Sequence, residues 1–204
     1  MIAIIDYGLG NILAFANVYK RLNIVIKIAR SANDLTGVSK IILPGVGAFD
    51  HAMQRLNASG MRKMLDELVQ VKGTPVVGIC VGMQILAESS EEGQEAGLGW
   101  VKGRVRGFKT TPGAQNQPLP HMGWNDVYPI QGQGIFSGLE TNSQFYFLHS
   151  FYFECTDPSD VAAQSEYGIP FASAVSHGNI NGIQFHPEKS HHFGTRLLKN
   201  FADL

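Results

Sequence analysis

Cysteine is nearly absent: Cys80 and Cys155 are the two in a chain of 204 residues. Two thiols far apart in sequence supply neither a disulfide framework nor a zinc-ligand pattern, so no metal is expected. Long apolar runs are also missing. Nothing approaches the ~18 consecutive residues of a helical membrane span, so no membrane association is expected. Charge of one sign is lacking too: 16 Lys and Arg against 17 Asp and Glu leave a net charge of -1, which argues against a broad nucleic-acid footprint. Residues 1–6 lack the basic and cleavage regions of a secretory leader and read as a strand. Reduced thiols then point to a cytoplasmic setting.

What is present is an ordinary globular composition, 44% hydrophobic and 16% charged, enough for one domain over residues 1–204. Short β-branched runs at 2–5, 24–28, 40–43 and 75–79 read as buried strands. They alternate with helical spacing over 12–22, 48–70 and 82–88, the first capped near Asn11. From about residue 97, alternating segments at 100–108, 145–153, 171–176 and 180–185 look antiparallel. Residues 109–120 read as an irregular loop, and Phe193, Leu197, Leu198 and Phe201 mark a closing helix. The expected fold is α/β: a mixed, mostly parallel central sheet flanked by helices, with antiparallel strands in the C-terminal half.

Cys80 stands between glycines in Gly78-Ile79-Cys80-Val81-Gly82, at a strand end and before a helical pattern. That is the form of a nucleophile elbow, where small neighbours permit a strained turn. A thiol above the first turn of a helix is also favoured as thiolate. The alternative is an inert, buried cysteine beside close-packed glycines.

A thiolate needs a base. His186, in Phe185-His186-Pro187-Glu188, follows an apolar strand, and an extended backbone would put residues 186 and 188 on one side. Glu188 would then accept a hydrogen bond from the ring and fix its tautomer. An ordinary surface His–Glu pair is the competing reading. His191 and His192, at the start of the last helix, are expected on a solvated face.

Elbow, histidine and carboxylate together resemble the class I, triad-type glutamine amidotransferases, and the resemblance runs from end to end. It implies Cys80 as nucleophile, His186 as general base and then acid, and Glu188 as orienting partner. The reaction implied is hydrolysis of the glutamine side-chain amide through a thioester. An oxyanion hole is required. Its donors would be the N–H of Val81 and an amide near Val46 or Gly47, in Leu43-Pro44-Gly45-Val46-Gly47. Glycines on both sides of Val46 would let these peptide planes rotate between productive and unproductive orientations. The resemblance also assigns Gln84, Glu92, Ser150 and Phe151 to glutamine binding, and no cofactor. Glu92 has an alternative reading as part of a solvated acidic run. Two positions depart from the family's usual pattern: Val81 in place of leucine, and Phe151 in place of tyrosine.

The acceptor of the ammonia is expected from three further stretches, 6–11 (DYGLGN), 120–125 (PHMGWN) and 145–151 (FYFLHSF). They resemble the amidotransferase branch that forms the glutaminase subunits of imidazole glycerol phosphate synthase, in histidine biosynthesis. The partner implied is a (β/α)8-barrel cyclase in a heterodimer. Asn11, Met122, Trp124 (in a Gly-Trp-Asn turn) and Tyr146 would lie on the docking face, unless the aromatics belong to the core. A paralogue serving surface-sugar amidination, or a non-catalytic binding subunit, remains open at this point.

Overall fold

A computed structural model describes residues 1–130, 134–139 and 143–204. Strand β1 (Ile2–Ile5) leads to helix α1 (Ile12–Arg21), and β2 (Ile26–Ala29) to β3 (Lys40–Gly45). Helices α2 (Phe49–Ala58) and α3 (Arg62–Asp66) precede β4 (Val76–Cys80) and the single-turn α4 (Val81–Gln84). Then come β5 (Ser89–Ser90), β6 (Gly103–Gly107), β7 (His121–Pro129), β8 (Ser143–His149) and β9 (Phe151–Cys155). The chain closes with β10 (Val161–Glu166), β11 (Pro170–His177), β12 (Ile180–Ile183) and α5 (His191–Asp203).

The expected α/β architecture is present. One mixed sheet runs β2-β1-β3-β4-β12-β11-β10-β7-β8, with β5, β6 and β9 joined to its side. β2, β1, β3, β4 and β12 are mutually parallel, and β12 turns antiparallel into β11. All four residues of β1 and all five of β4 are buried, as strands covered on both faces require. Helix α1 buries Phe15, Val18 and Tyr19, and the Tyr19 hydroxyl donates to the Leu198 carbonyl at 3.0 Å. That bond ties the first helix to the last. Register places Gly45 opposite Cys80 and Ile183 opposite Ile79. The C-terminal ends of β3, β4 and β12 therefore open on one edge, where α/β sheets hold ligands.

Several boundaries differ from the sequence reading, each for a local reason. Ile24 closes α1, its N–H donating to the Tyr19 carbonyl at 3.0 Å, so β2 begins only at Ile26. The helix expected over 48–70 breaks at Gly60, whose φ is +72°, and its last turn widens to π geometry over Glu67–Val71. The helix expected over 82–88 is one turn, because the carbonyls of Ile85, Leu86 and Ala87 accept from Leu98, Val101 and Gly99. Segment 145–153 is two strands: β8 pairs with β7, while β9 turns to β6 and β11. The Gly-Trp-Asn segment is no turn but lies within β7. Asn11 does occupy the N-cap of α1, without a side-chain capping bond.

Candidate active site

Cys80 ends β4 and opens α4 with φ +56° and ψ -115°, a conformation that costs about 1–3 kcal/mol for a residue with a side chain. The glycines around it are dictated by close approach. A methyl on Gly82 would strike the Leu43 carbonyl, one on Gly78 the Gly82 carbonyl, and one on Gly45 the Gly82 nitrogen. The lack of a side chain at Gly45 thus serves the packing of β3 against α4. Gly47 is the conformational glycine, at φ +89° with open space around it.

His186 reaches the same edge from the segment after β12. Its backbone N–H donates to the Tyr146 carbonyl at 2.9 Å, and its carbonyl accepts from the Ser190 hydroxyl at 2.6 Å. Glu188 sits in a short 3₁₀ turn, Pro187–Lys189, in place of the extended geometry expected. The pairing is still made: His186 Nδ1 lies 2.9 Å from Glu188 Oε1, with side chains 6% and 2% exposed. The surface-pair alternative is excluded by that burial. Burial pulls the imidazole pKa down, but hydrogen bonds with Cys80 and Glu188, and their charges, raise it to about 9. With Nδ1 held by Glu188, Nε2 is the ring nitrogen left for the thiol. The ring therefore faces a strained cysteine on one side and a buried carboxylate on the other, the arrangement a base needs to serve a thiol nucleophile. The helix after Cys80, expected to lend its dipole, is a single turn.

A cleft of about 320 Å³ opens over the sulfur. Val46, Gly47, Val81, Gln84, Glu92, Ser150 and Phe151 line it together with Cys80 and His186. Glu188 stands behind His186. The carboxylate of Glu92 accepts from the Phe49 N–H at 2.8 Å, fastening the start of α2, so it is more than one of a charged run. Gln84 Nε2 donates to the Phe151 carbonyl at 3.2 Å and to Gln184 Oε1 at 3.0 Å. Its carbonyl oxygen is thus the group left for a ligand.

Residues not singled out beforehand also border the cleft: Leu148, His149 and Lys189. Lys189 lies over the Tyr146 ring, 5.3 Å from its centroid. His149 is buried, its Nδ1 2.7 Å from the Phe151 carbonyl and its Nε2 2.9 Å from His121 Nδ1. Burial lowers His121 to about 4 and His149 to about 3, so both rings are neutral. Only the placement of both histidines in motif segments hinted at this pair.

On the antiparallel side, β7 and β8 present Met122 opposite Leu148 and Trp124 opposite Tyr146. Met122 is 65% and Trp124 47% exposed, against the core reading of these side chains. Trp124 stacks on His191 with ring centroids 5.2 Å apart, so that histidine is not merely solvated. Asn11 is exposed and lies farther along the same sheet edge, after Gly10 packs on Pro44. Cys155 is held protonated: burial, with Asp160 and Asp157, pushes its pKa up to about 12. Among the described residues no group of three or more His, Cys, Asp or Glu is arranged to hold a metal ion. Nor is any helix there long and apolar enough to cross a membrane.

Comparison with known proteins agrees with this geometry. The family model "Glutamine amidotransferase class-I" matches residues 3–204. The imidazole glycerol phosphate synthase subunit HisH of Bdellovibrio bacteriovorus is 61% identical over 204 residues, all of both chains. That of Leptospira interrogans is 51% identical, again over all of both chains. In fold, a crystal structure of a glutamine amidotransferase superposes with a TM-score of 0.77 at 20% identity, covering 99% of this chain and 97% of the other. PurLQS from Thermotoga maritima gives 0.75 at 15% identity, covering 99% and 97%. A cysteine on an elbow, a His–Glu pair behind it and a family match over nearly the whole length lead to one assignment: the chain belongs to the class I glutamine amidotransferases.

Proposed function

We propose that this chain is the glutaminase subunit of an imidazole glycerol phosphate synthase, acting as one domain over residues 1–204. End-to-end identity of 61% and 51% with subunits of that synthase carries the reading. The buried Cys80, His186 and Glu188 supply its chemistry.

The Cys80 thiolate attacks the side-chain carbonyl carbon of glutamine, forming a C–S bond and placing negative charge on oxygen. The N–H of Val81 and an amide at Val46 or Gly47 receive that oxyanion. His186 delivers the proton on Nε2 to the amide nitrogen, the C–N bond breaks, and ammonia leaves a γ-glutamyl thioester. The neutral imidazole then takes a proton from water, which attacks the thioester. Glutamate departs and the thiolate–imidazolium pair is restored. Glu188 holds Nδ1–H throughout. Gln84, Glu92, Ser150 and Phe151 hold the substrate glutamine.

Amines are mostly protonated at neutral pH, and an ammonium ion is no nucleophile. Ammonia released beside bulk water would be lost to synthesis, so a sealed route into a second protein is required. The exposed strip of Met122, Trp124 and Leu148 adjoins the cleft and suits a docking face, with Tyr146 beside it and Asn11 farther along the edge. The partner is a (β/α)8-barrel cyclase forming a heterodimer with this chain. It joins the ammonia to its phosphoribosyl substrate, giving imidazole glycerol phosphate and aminoimidazole carboxamide ribotide in the cytoplasm.

Mixing the chain with that cyclase should give glutamine-dependent synthesis. Cys80→Ser should abolish it and leave synthesis from added ammonia intact. A Cys80→Ser variant that retains glutamine-dependent turnover refutes the nucleophile. Failure to complement a histidine auxotroph lacking its own glutaminase, with hydrolysis intact, would move the chain to a different acceptor.

A further inference from the structure

Gln184 follows β12 and is fully buried, and its side chain, like that of His186 two residues on, reaches Cys80. Its backbone N–H is satisfied by the Ser173 carbonyl at 2.9 Å. The side chain is therefore free to serve the edge where Cys80 stands. Gln184 Nε2 lies 3.9 Å from Cys80 Sγ, and Gln184 Oε1 accepts from Gln84 Nε2 at 3.0 Å.

Which end of the amide faces the sulfur is fixed by its neighbours. The Phe151 carbonyl can only accept, so the Gln84 atom 3.2 Å away is nitrogen. Gln84 Nε2 has a second hydrogen, and the Gln184 atom receiving it must be oxygen. The other end of Gln184, its NH₂, is left pointing at the sulfur. The same Phe151 carbonyl is held by His149 Nδ1–H at 2.7 Å, and His149 Nε2 accepts from His121 Nδ1–H at 2.9 Å. His121 Nε2 in turn accepts from Asn125 Nδ2 at 3.2 Å. The two branches converge on the Phe151 carbonyl, which accepts from His149 and from Gln84, and the Gln84 branch ends on an N–H aimed at Cys80.

From this directed network we infer that Gln184 is a positioning residue for the reaction, whose amide N–H stabilises the Cys80 thiolate and whose carbonyl locks Gln84. The inference rests on the reading of Cys80 as nucleophile. An amide donor suits this place because it does not titrate. It favours the anion at every working pH, while the imidazolium must give up its proton during turnover. A hydrogen bond to a charged acceptor is stronger than one between neutral groups, and at a fully buried position no water competes for it.

The test is the pH profile of Cys80 alkylation by iodoacetamide, with mass spectrometry separating Cys80 from Cys155. The other ionisable groups facing the sulfur are His186 with Glu188 behind it, Tyr7 beneath the elbow, and His149, Glu92 and Lys189 around the cleft. All are retained in the variants, so a moved midpoint reads Gln184. Gln184→Met removes donor and acceptor. Gln184→Glu keeps an acceptor for Gln84 and loses the amide donor. Gln184→Met should raise the alkylation midpoint by about one pH unit or more, as losing a hydrogen bond to a charge implies, and Gln184→Glu, which adds a carboxyl beside the sulfur, should raise it at least as far. In the complex with the cyclase, Gln184→Glu should lower kcat with little change in KM for glutamine, while Gln184→Met changes both. An unmoved midpoint in a folded Gln184→Met overturns the inference. Should neither variant fold, the side-chain amide resonances of Gln184 in the parent protein decide. They must shift with the Cys80 titration, and an amide signal blind to it overturns the inference equally. A parent Cys80 with the reactivity of an ordinary thiol would instead defeat the nucleophile reading itself.

Discussion

Replacing Glu188 by Gln keeps the shape of the triad and removes one charge. In the parent, Oε1 holds His186 Nδ1 at 2.9 Å, while Oε2 is buried without a hydrogen-bond partner among the described residues. The carboxamide oxygen can still accept from Nδ1–H, so the ring stays in place. What is lost is the charge favouring imidazolium. A neighbouring opposite charge is worth roughly 1–3 pH units, so His186 should fall from about 9 to about 6–8. In the assembled synthase the alkaline limb of kcat/KM for glutamine should move down by that amount, since this limb reports the group that protonates the departing amide nitrogen. Turnover should fall by less than the roughly 10²–10⁴-fold that loss of the acid–base group itself, in His186→Ala, is expected to cost. Stability supplies an independent check. A histidine whose folded pKa is raised from 6.5 to about 9 contributes stability that is complete below 6.5 and vanishes as pH rises through 9. The full contribution is about 3 kcal/mol, shared between Cys80 and Glu188. Glu188→Gln should therefore melt below the parent at pH 6, and the gap should close by pH 9.5. There, relief of the unpartnered oxygen's desolvation also favours the variant. An unmoved alkaline limb together with a constant gap in melting temperature would refute this division of roles.

Two further outcomes follow from other parts of the molecule. Trp124→Ala should weaken association with the cyclase by about 1–4 kcal/mol, as interface aromatics do, measured by titration calorimetry; its 47% exposure means the melting temperature of the free chain should barely change, and the reverse pattern would return Trp124 to the core. The neutral His121–His149 pair should make the protein acid-labile, because the unfolded chain takes up protons near 6.5 and folded His121 only near 4. Stability is lost as pH falls through that window, by about 3 kcal/mol for His121; chemical denaturation at pH 6.5 and 4.5 should show the loss, and His121→Gln should flatten it, whereas equal slopes would argue against the buried neutral ring.

Sequence by itself determined whatever short-range sterics and periodicity control. The runs 2–5, 40–43 and 75–79 are β-branched and apolar, and no other pairing buries them so well as a parallel sheet. The glycines flanking Cys80 marked the elbow because only glycine tolerates the approach of α4 to β3. The spacing of His186 and Glu188 brought them together even though their backbone is a 3₁₀ turn and not a strand. Tertiary structure decided what depends on partners distant in sequence. Strand β7 escaped notice because Gly123, Asn125 and Asp126 spoil its alternation, and only pairing with β8 makes it a strand. The bend at Ser150 exists because β8 and β9 answer to different neighbours. Glu92 looked like one of a solvated run until Phe49, far back in the chain, claimed its carboxylate. Gln184 stands two residues before His186, a nearness visible in the sequence. Its aim at the sulfur, however, is set by a backbone carbonyl at Phe151 acting through Gln84. A hydrogen bond's direction belongs to the whole network that satisfies it, and no local pattern of residues encodes that network.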